Sequence, residues 1–438
     1  MAFQLKPMAQ RELGIFILLL FLTSTNFLLF GLNHYATPGG DSEQYNLYAK
    51  NIALGNGYTT DPINTKFSMY REPGYPIFLS SIYLLFGIEN FAAVKIVQVI
   101  LLTVTAFLIF RIFGLFNYGR LGILSGSIFT FLPLYAYQAN LLQSELLTVF
   151  LLVSSFLVVL TILRNNENFK NYVLLGVIFS LLALTRAHML LMPFILAVIF
   201  YFRGKPIKNN AIFLMIVVIS VLSWMTYVYS NTDIFTITKG RDDLHLYTRS
   251  IRATLSYRQQ VSYFNSWLRD RAQGGQYEDK LLKEYGPWFL TQQYGILLNH
   301  GQSEAKLKKE SIGRIKNNLG QYLFGNMIEI SKMLFIEHLY PPVSPLLTRS
   351  VRAIIYLAIY ALFIAGIISF LFSKNNKFSI LIGVGSIYIF YNLIVLSFFD
   401  VIPRFNTPYL GLYLIVGIAG LTNLNYKLWK IKKVESLV

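Results

Sequence analysis

Long apolar runs separated by short polar or basic links make up most of this chain. They fall at 13–32, 91–113, 120–137, 146–163, 171–185, 189–202, 211–229, 351–373, 378–398 and 407–424. Each is near the length a helix needs to cross the hydrocarbon core of a bilayer. The pattern predicts an all-α polytopic membrane protein with about ten transmembrane helices. A further stretch, Tyr75 to Phe86, is apolar but short and begins among prolines. It is either an eleventh crossing or a helix lying in the interface.

Two polar segments interrupt the apolar runs, at 33–74 and 230–350. In the first, DSEQYNLYAKNIALGNG predicts a short amphipathic helix with Tyr45, Tyr48, Ala49 and Ile52 on one face and Gly55 to Gly57 ending it. Such a helix is expected to lie flat on the outer leaflet. The second segment has mixed charge and many tyrosines. It is too polar for the membrane and too aromatic for disorder, so it is expected to fold partly as surface helices. Gly274-Gly275, the charge cluster Lys306 to Lys309 and Pro341-Pro342 read as its turns and loops.

Composition agrees with the pattern: 55% hydrophobic residues and a mean hydropathy of +0.51 over 438 residues exclude an ordinary soluble protein. In a soluble chain the net charge of +17 would suggest nucleic acid. Here much of the Lys and Arg lies in links between apolar runs, where it sets topology. If Tyr75 to Phe86 does not cross, then Lys6, Arg11, Arg111, Arg120, Arg164, Lys170, Arg203, Lys205, Lys208, Lys374, Lys377 and the Lys427 to Lys433 cluster fall on one side. That side is the cytoplasm by the positive-inside rule, which puts both termini there. Anionic lipid headgroups or a phosphate-bearing substrate are the expected partners, not nucleic acid. The chain has no Cys, which removes disulfides, thiol catalysis and thiolate-bound metals. The first apolar run follows Lys6 and Arg11 without a small-residue cleavage site and reads as an uncleaved signal anchor.

With that orientation the residues able to do chemistry collect on the outer side: GGDSEQY at Asp41, YREPGYP at Arg71 and Glu72, QSE at Glu145, LTRAH at Arg186 and His188, and DVIPR at Arg404. Each has a structural alternative. Asp41 is either a helix N-cap, with Gln44 in capping-box position, or a general base whose partly desolvated carboxylate takes a proton from a hydroxyl. Arg71 and Glu72 are either an interfacial ion pair or, for Arg71, a planar grip on a phosphate. Glu145 starts an inward crossing and Arg186 ends an outward one, where the helix dipole favours each charge. Arg404 precedes a helix whose positive end disfavours a cation, so an anion is expected beside it, either Asp400 or a substrate phosphate. Glu43, Tyr45 and His188 complete the substrate-binding candidates. His34, Asp41, Glu43, Glu145 and His188 include the residue types for a divalent-metal site, but no ligand spacing supports one.

The stretches DSEQYNLYAKNIALGNGY, REPGYPIFLSSIYLLFG, LPLYAYQANLLQSELL, LLGVIFSLLALTRAHMLLMP and PRFNTPYLGLYLIVGIAG, in that order, resemble the GT-C superfamily of integral-membrane glycosyltransferases. The similarity is to the bacterial branch related to protein mannosyltransferases and the aminoarabinose transferases of lipid A. It covers roughly the first 200 residues and the last 40, and the segment 230–350 has no counterpart. The resemblance implies a sugar donor carried on a polyprenyl phosphate, an inverting transfer to an envelope acceptor on the outer face, and a bacterial cytoplasmic membrane as the location. It implies Asp41 as catalytic base and Arg71, Arg186 and Arg404 as donor-phosphate ligands. Two departures stand out: Asp41 is followed by Ser42 where the family often has a second acid, and Glu72, not a cation, precedes Pro73. By this reading residues 1–229 form a transmembrane module with a catalytic first loop at 33–74, residues 230–350 a large external loop, and 351–438 the last helices and a basic cytoplasmic tail. A transporter or flippase of lipid-linked saccharides would need ionisable groups along a path through the bilayer, and the apolar runs carry few. A polysaccharide polymerase or ligase would share the outer arginines.

Overall fold

The computed structural model describes residues 10–31, 40–61, 67–68, 70–164, 167–238, 242–272, 279–299, 303–335, 349–372, 378–398 and 403–435. Among them the secondary structure is helical, without strands. The first part of the chain forms α1 (Gln10–Phe30), α2 (Asp41–Ala53), α3 (Gly74–Phe86), α4 (Phe91–Gly114), α5 (Gly119–Thr130), α6 (Pro133–Gln138), α7 (Glu145–Leu163), α8 (Phe169–Thr185), α9 (Met192–Phe202) and α10 (Ile207–Thr232). The long polar segment forms α11 (Asp242–Ala253), α12 (Tyr257–Ala272), α13 (Lys280–Tyr285), α14 (Pro287–Asn299), α15 (Glu304–Asn317) and α16 (Leu319–Phe335). Three helices follow: α17 (Arg349–Leu371), α18 (Ser379–Ser397) and α19 (Leu410–Glu435).

Seven helices among the described residues are long and apolar enough to cross a membrane: α1, α4, α7, α10, α18, Ile354–Leu371 within α17, and Phe405–Thr422 running into α19. Other expected runs are built differently. Residues 120–137 are not one helix but α5 and α6. Pro133 lacks an N–H and holds Leu132 extended (φ −69, ψ 112), so the helix stops and restarts. The runs 171–185 and 189–202 become α8, of 17 residues, and a 3₁₀ turn at Ala187–Leu191 leading into α9, of 11 residues. At 13 residues α3 is about 20 Å long, short of a bilayer core of about 30 Å.

Burial orders the bundle. The crossing windows of α7 and of Phe405–Thr422 are 78% and 83% buried, whereas those of α1 and α10 are 22% buried and form its rim. At the centre Tyr388 of α18 packs edge-on to Phe156 of α7 at 5.8 Å, and its hydroxyl lies 3.1 Å from Ser155 Oγ. Close approach of α17 and α19 depends on glycine. A Cβ on Gly420 would run into Gly366 Cα, and one on Gly417 would lie 2.7 Å from the Leu362 backbone. In lipid, where apolar burial alone drives helix association weakly, such backbone contact supplies the packing. Leu85, Phe202 and Phe372 are largely exposed on the outside of the bundle, as lipid-facing residues are.

The first loop is more enclosed than a helix resting on lipid. α2 buries Tyr45, Tyr48 and Ala49 as its pattern predicts, and Ser42, Asn46 and Asn51 besides. Tyr45 meets Tyr75 of α3 edge-on at 5.0 Å, and Tyr83 donates to Asn46 at 2.6 Å. Tyr48 stacks on Tyr58 at 4.4 Å, and Tyr58 abuts Trp224 of α10 at 5.0 Å. The face expected to rest on lipid is thus occupied by protein.

Within the polar segment Lys306 to Lys309 lies inside α15 and not in a loop. Ser303 caps that helix by accepting from the Lys306 N–H, and Glu304 suits its positive end. Gly274-Gly275 and Pro341-Pro342 fall outside the described residues. α11 and α16 are joined by a buried ionic cluster in which Glu329 Oε1 lies 2.9 Å from Lys332 Nζ and 3.4 Å from one nitrogen each of Arg249 and Arg252. All four residues are 3% exposed or less.

Two outcomes follow from this packing. Gly420→Val is expected to force α17 and α19 apart and to destabilise the protein by about 1–3 kcal/mol or more, read as a lower thermal midpoint in detergent. Glu329→Gln removes the carboxylate shared by three buried cations. A loss of about 3–5 kcal/mol is expected in the same measurement.

Candidate active site

Gly40, at φ 56, takes the N-cap position of α2, which makes Asp41 its first helical residue. The capping box expected of Asp41 and Gln44 does not form, because both side chains turn to Arg71. Asp41 is ion-paired with Arg71 Nη2, and Gln44 Oε1 accepts from Arg71 Nε at 2.8 Å. The guanidinium also lies 5.0 Å from the centre of the Tyr45 ring and is only 3% exposed. Tyr58 donates to the Arg71 carbonyl at 2.8 Å. Burial pushes the Tyr58 phenol well above its usual range, so it stays a neutral donor.

Arg71 and Glu72 are not paired with each other. Glu72 reaches the C-terminal end of α8, where Oε1 accepts from the Ala187 N–H at 3.5 Å. Gly74 makes this junction possible. A Cβ there would meet Thr185 Oγ1 and lie 2.9 Å from the Thr185 nitrogen, so only glycine lets the start of α3 touch the end of α8.

Glu145 and Arg186 form a second pair, at 2.9 Å, with the carboxylate 2% and the guanidinium 12% exposed. Glu145 opens α7, and Arg186 leaves α8 in an extended conformation (φ −145, ψ 96) that swings its side chain back across the helix end. The guanidinium lies 5.4 Å from the Phe405 ring centre. Burial alone would lower its pKa, but Glu145, with Tyr45 and Glu72, more than offsets this and the pKa is raised. Arg186 is a fixed positive charge.

Both arginines face one cavity of about 530 Å³, a size typical of small-molecule sites. Tyr45, Glu72, Glu145 and His188 line it too, so the structure brings together six of the nine residues singled out from the sequence. Asp41 is not on the cavity wall but is paired with Arg71, which is. Glu43 is exposed on α2 and lies off the wall. Arg404 falls in a 3₁₀ helix at Pro403–Tyr409, but its side chain, like Asp400 and His34, lies outside the described residues. Among the described residues no three His, Asp or Glu side chains gather into a possible metal site.

The remaining wall has other sources. Gln143 comes from the QSE motif itself, and Thr236, Thr238 and His245 come from the connection into α11 and its first turns. Leu190, Met225, Leu396 and Phe405 make an apolar side. The acidic and basic residues draw attention as types in a sequence. Nothing in the spacing of Thr236 or His245 marks them, because only the docking of α11 brings them to the cavity.

Apolar helices bearing a first-loop helix, with arginine–carboxylate pairs around one cavity, make this an all-α polytopic membrane protein that is similar, in part of its sequence and in its fold, to known glycosyltransferases. Within the chain, residues 71–229 match the model of the dolichyl-phosphate-mannose-protein mannosyltransferase family. That match takes in Arg71, Glu72, Glu145, Arg186 and His188 but not Asp41 or Arg404. Two solved structures of oligosaccharyltransferases from Archaeoglobus fulgidus share the fold. One is AglB in complex with an inhibitory peptide and a dolichol-phosphate, with a TM-score of 0.54 at 13% identity over 98% of this chain. The other is tethered to an acceptor peptide, with a TM-score of 0.52 at 14% identity over 95% of this chain. The chain corresponds to 52% and 50% of those proteins, about half their length. No curated protein sequence matches it.

Removing Glu145's charge tests the second pair. Glu145→Gln leaves Arg186 buried without its counter-ion, and an unfolding free energy lower by about 3 kcal/mol is expected, against a smaller loss for Glu145→Asp. Thermal unfolding of the purified variants checks this.

Proposed function

We propose that the protein is an inverting glycosyltransferase that moves a sugar from a polyprenyl-phosphate donor to a lipid, glycan or protein acceptor of the cell envelope. It acts on the outer face of a bacterial cytoplasmic membrane. The observation that carries this reading is the pair of buried arginines, each held by a carboxylate, on the wall of a cavity whose other side is apolar. An anionic headgroup on an apolar chain matches such a wall. The donor phosphate takes the guanidinium groups of Arg71 and Arg186, and the first isoprene units lie along the apolar residues.

In the transfer a carboxylate accepts the proton of the acceptor hydroxyl, and the oxygen attacks the anomeric carbon from the face opposite the phosphate. The bond from that carbon to the phosphate oxygen breaks, and the arginines stabilise the charge that builds on the leaving phosphate. We assign the base to Asp41. Arg71 holds Asp41 as its counter-ion. A donor phosphate on Arg71 replaces that contact and frees the carboxylate to meet the acceptor hydroxyl. Glu72 is the second candidate, because it faces the cavity directly and its described hydrogen bond is one long contact to the Ala187 N–H.

Purified protein supplied with a panel of polyprenyl-phosphate monosaccharides and an envelope acceptor tests the reading. Wild type is expected to consume one donor. Asp41→Asn should lower kcat by about 10²- to 10⁴-fold, the range for loss of a general base, with the protein still folded by its thermal midpoint. A larger loss in Glu72→Gln than in Asp41→Asn would transfer the role to Glu72. No donor consumption by wild type, together with movement of labelled lipid-linked sugar across liposomes, would replace the enzyme with a transporter.

A further inference from the structure

The cavity contains polar atoms that the two ion pairs leave unused. Gln143 Oε1 and His188 Nε2 are both removed from solvent, and neither has a hydrogen-bond partner. Both residues line the cavity. Buried polar atoms are nearly always satisfied in native proteins, and an orphan on a cavity wall is open to bond whatever enters the cavity. Both atoms belong to uncharged side chains. An amide oxygen and an imidazole nitrogen match hydroxyl groups better than a phosphate, which the arginines already serve.

The backbone that carries these atoms is held in place. The turn before Gln143 is fixed by Gln98, whose Nε2 donates to the Ala139 and Leu141 carbonyls at 3.0 and 3.1 Å. Asn140 Nδ2 ties the same turn to the Gly31 carbonyl. On the other side the His188 carbonyl accepts from the Tyr391 hydroxyl, and the next residue, Met189, takes the Tyr409 hydroxyl on its sulfur at 3.0 Å. The Met189 N–H bonds the Arg186 carbonyl at 2.9 Å, which sets His188 in a fixed turn beside the second arginine. Gln143 is likewise two residues from Glu145, the partner of that arginine. Two neutral groups on fixed backbone turns thus flank the ion pair that we assign to the donor phosphate.

We infer that Gln143 and His188 form a carbohydrate subsite in which the amide oxygen and the ring nitrogen hydrogen-bond hydroxyls of the transferred sugar and select it. This rests on the donor reading above, and it adds which side chains read the sugar as distinct from those that hold its phosphate. Gln143 accepts a hydroxyl proton, and His188 Nε2 makes the second hydrogen bond. A site built to bond a hydroxyl discriminates strongly against an analogue that lacks it, because its own polar atom is then left buried and unpaired.

The test uses the polyprenyl-phosphate monosaccharide that wild type consumes and its mono-deoxy analogues. With wild type, at least one single-hydroxyl deletion is expected to lower kcat/KM on the order of 10- to 100-fold, the effect of leaving one or two neutral groups unsatisfied. Gln143→Met and His188→Phe should lower kcat/KM for the parent sugar and largely abolish the preference for it over the matching analogue. His188→Gln, which places an amide near the position of Nε2, should restore part of the preference. Equal use of every mono-deoxy donor by wild type overturns the subsite without any variant. So does a preference that persists in both folded variants. Consumption of no donor at all removes the glycosyltransferase reading and the subsite with it.

Discussion

An ionised guanidinium can be buried only beside a counter-charge, because taking it out of water costs several kcal/mol that one well-placed carboxylate must offset. Arg71 and Arg186 obey this rule at the same cavity, and meeting it dictates much of the surrounding structure. Asp41 reaches Arg71 only because α2 begins at Gly40 and folds back onto α3 through Tyr45 and Tyr75. Glu145 reaches Arg186 only because α7 starts where α8 ends, with Arg186 leaving its helix in an extended conformation. Gly74 brings the two pairs together by letting α3 touch the end of α8, and Glu72 then meets the backbone of Ala187.

The same rule governs the long polar segment. Glu329 is buried among Arg249, Arg252 and Lys332, which fixes α11 against α16. Since α16 also meets the membrane bundle, where Asn406 donates to the Met333 carbonyl at 3.3 Å, this clamp sets where the first turns of α11 lie. His245, one turn before Arg249, is on the cavity wall. Charge pairing off the cavity wall therefore fixes part of its lining. The aromatic cluster of Tyr48, Tyr58, Phe67 and Trp224 anchors the first loop to α10 in the same way, through ring contacts in place of ion pairs.

Chemically the cavity has three parts: guanidinium–carboxylate pairs, neutral polar groups and an apolar side. A lipid-linked sugar has the same three parts in its phosphate, its hydroxyls and its isoprenoid chain. In the proposed function, binding such a donor exchanges one anion for another on the arginines. The site need not create a buried charge at the moment of reaction, and a carboxylate released by the exchange is available for proton transfer.

Helical class, membrane character and most of the crossings were legible in the chain, because lipid forces a spanning segment to be long, apolar and internally hydrogen-bonded. The residue types at the site were legible for a related reason. Arg71, Glu72, Glu145 and Arg186 are charges set beside apolar runs, where a charge needs a purpose. Partnership was not legible. The sequence suggested Arg71 beside Glu72 and a capping Asp41, whereas the pairs formed join residues 30 and 41 positions apart, Asp41 with Arg71 and Glu145 with Arg186. The break at Pro133 could be anticipated from proline's missing N–H, but the burial of α2 beneath its own loop could not. Periodicity shows that a helix has an apolar face, and only tertiary packing decides whether lipid or protein covers it. Gln143, Thr236 and His245 entered the site for the same reason: their chemistry is ordinary until folding places them on one cavity wall.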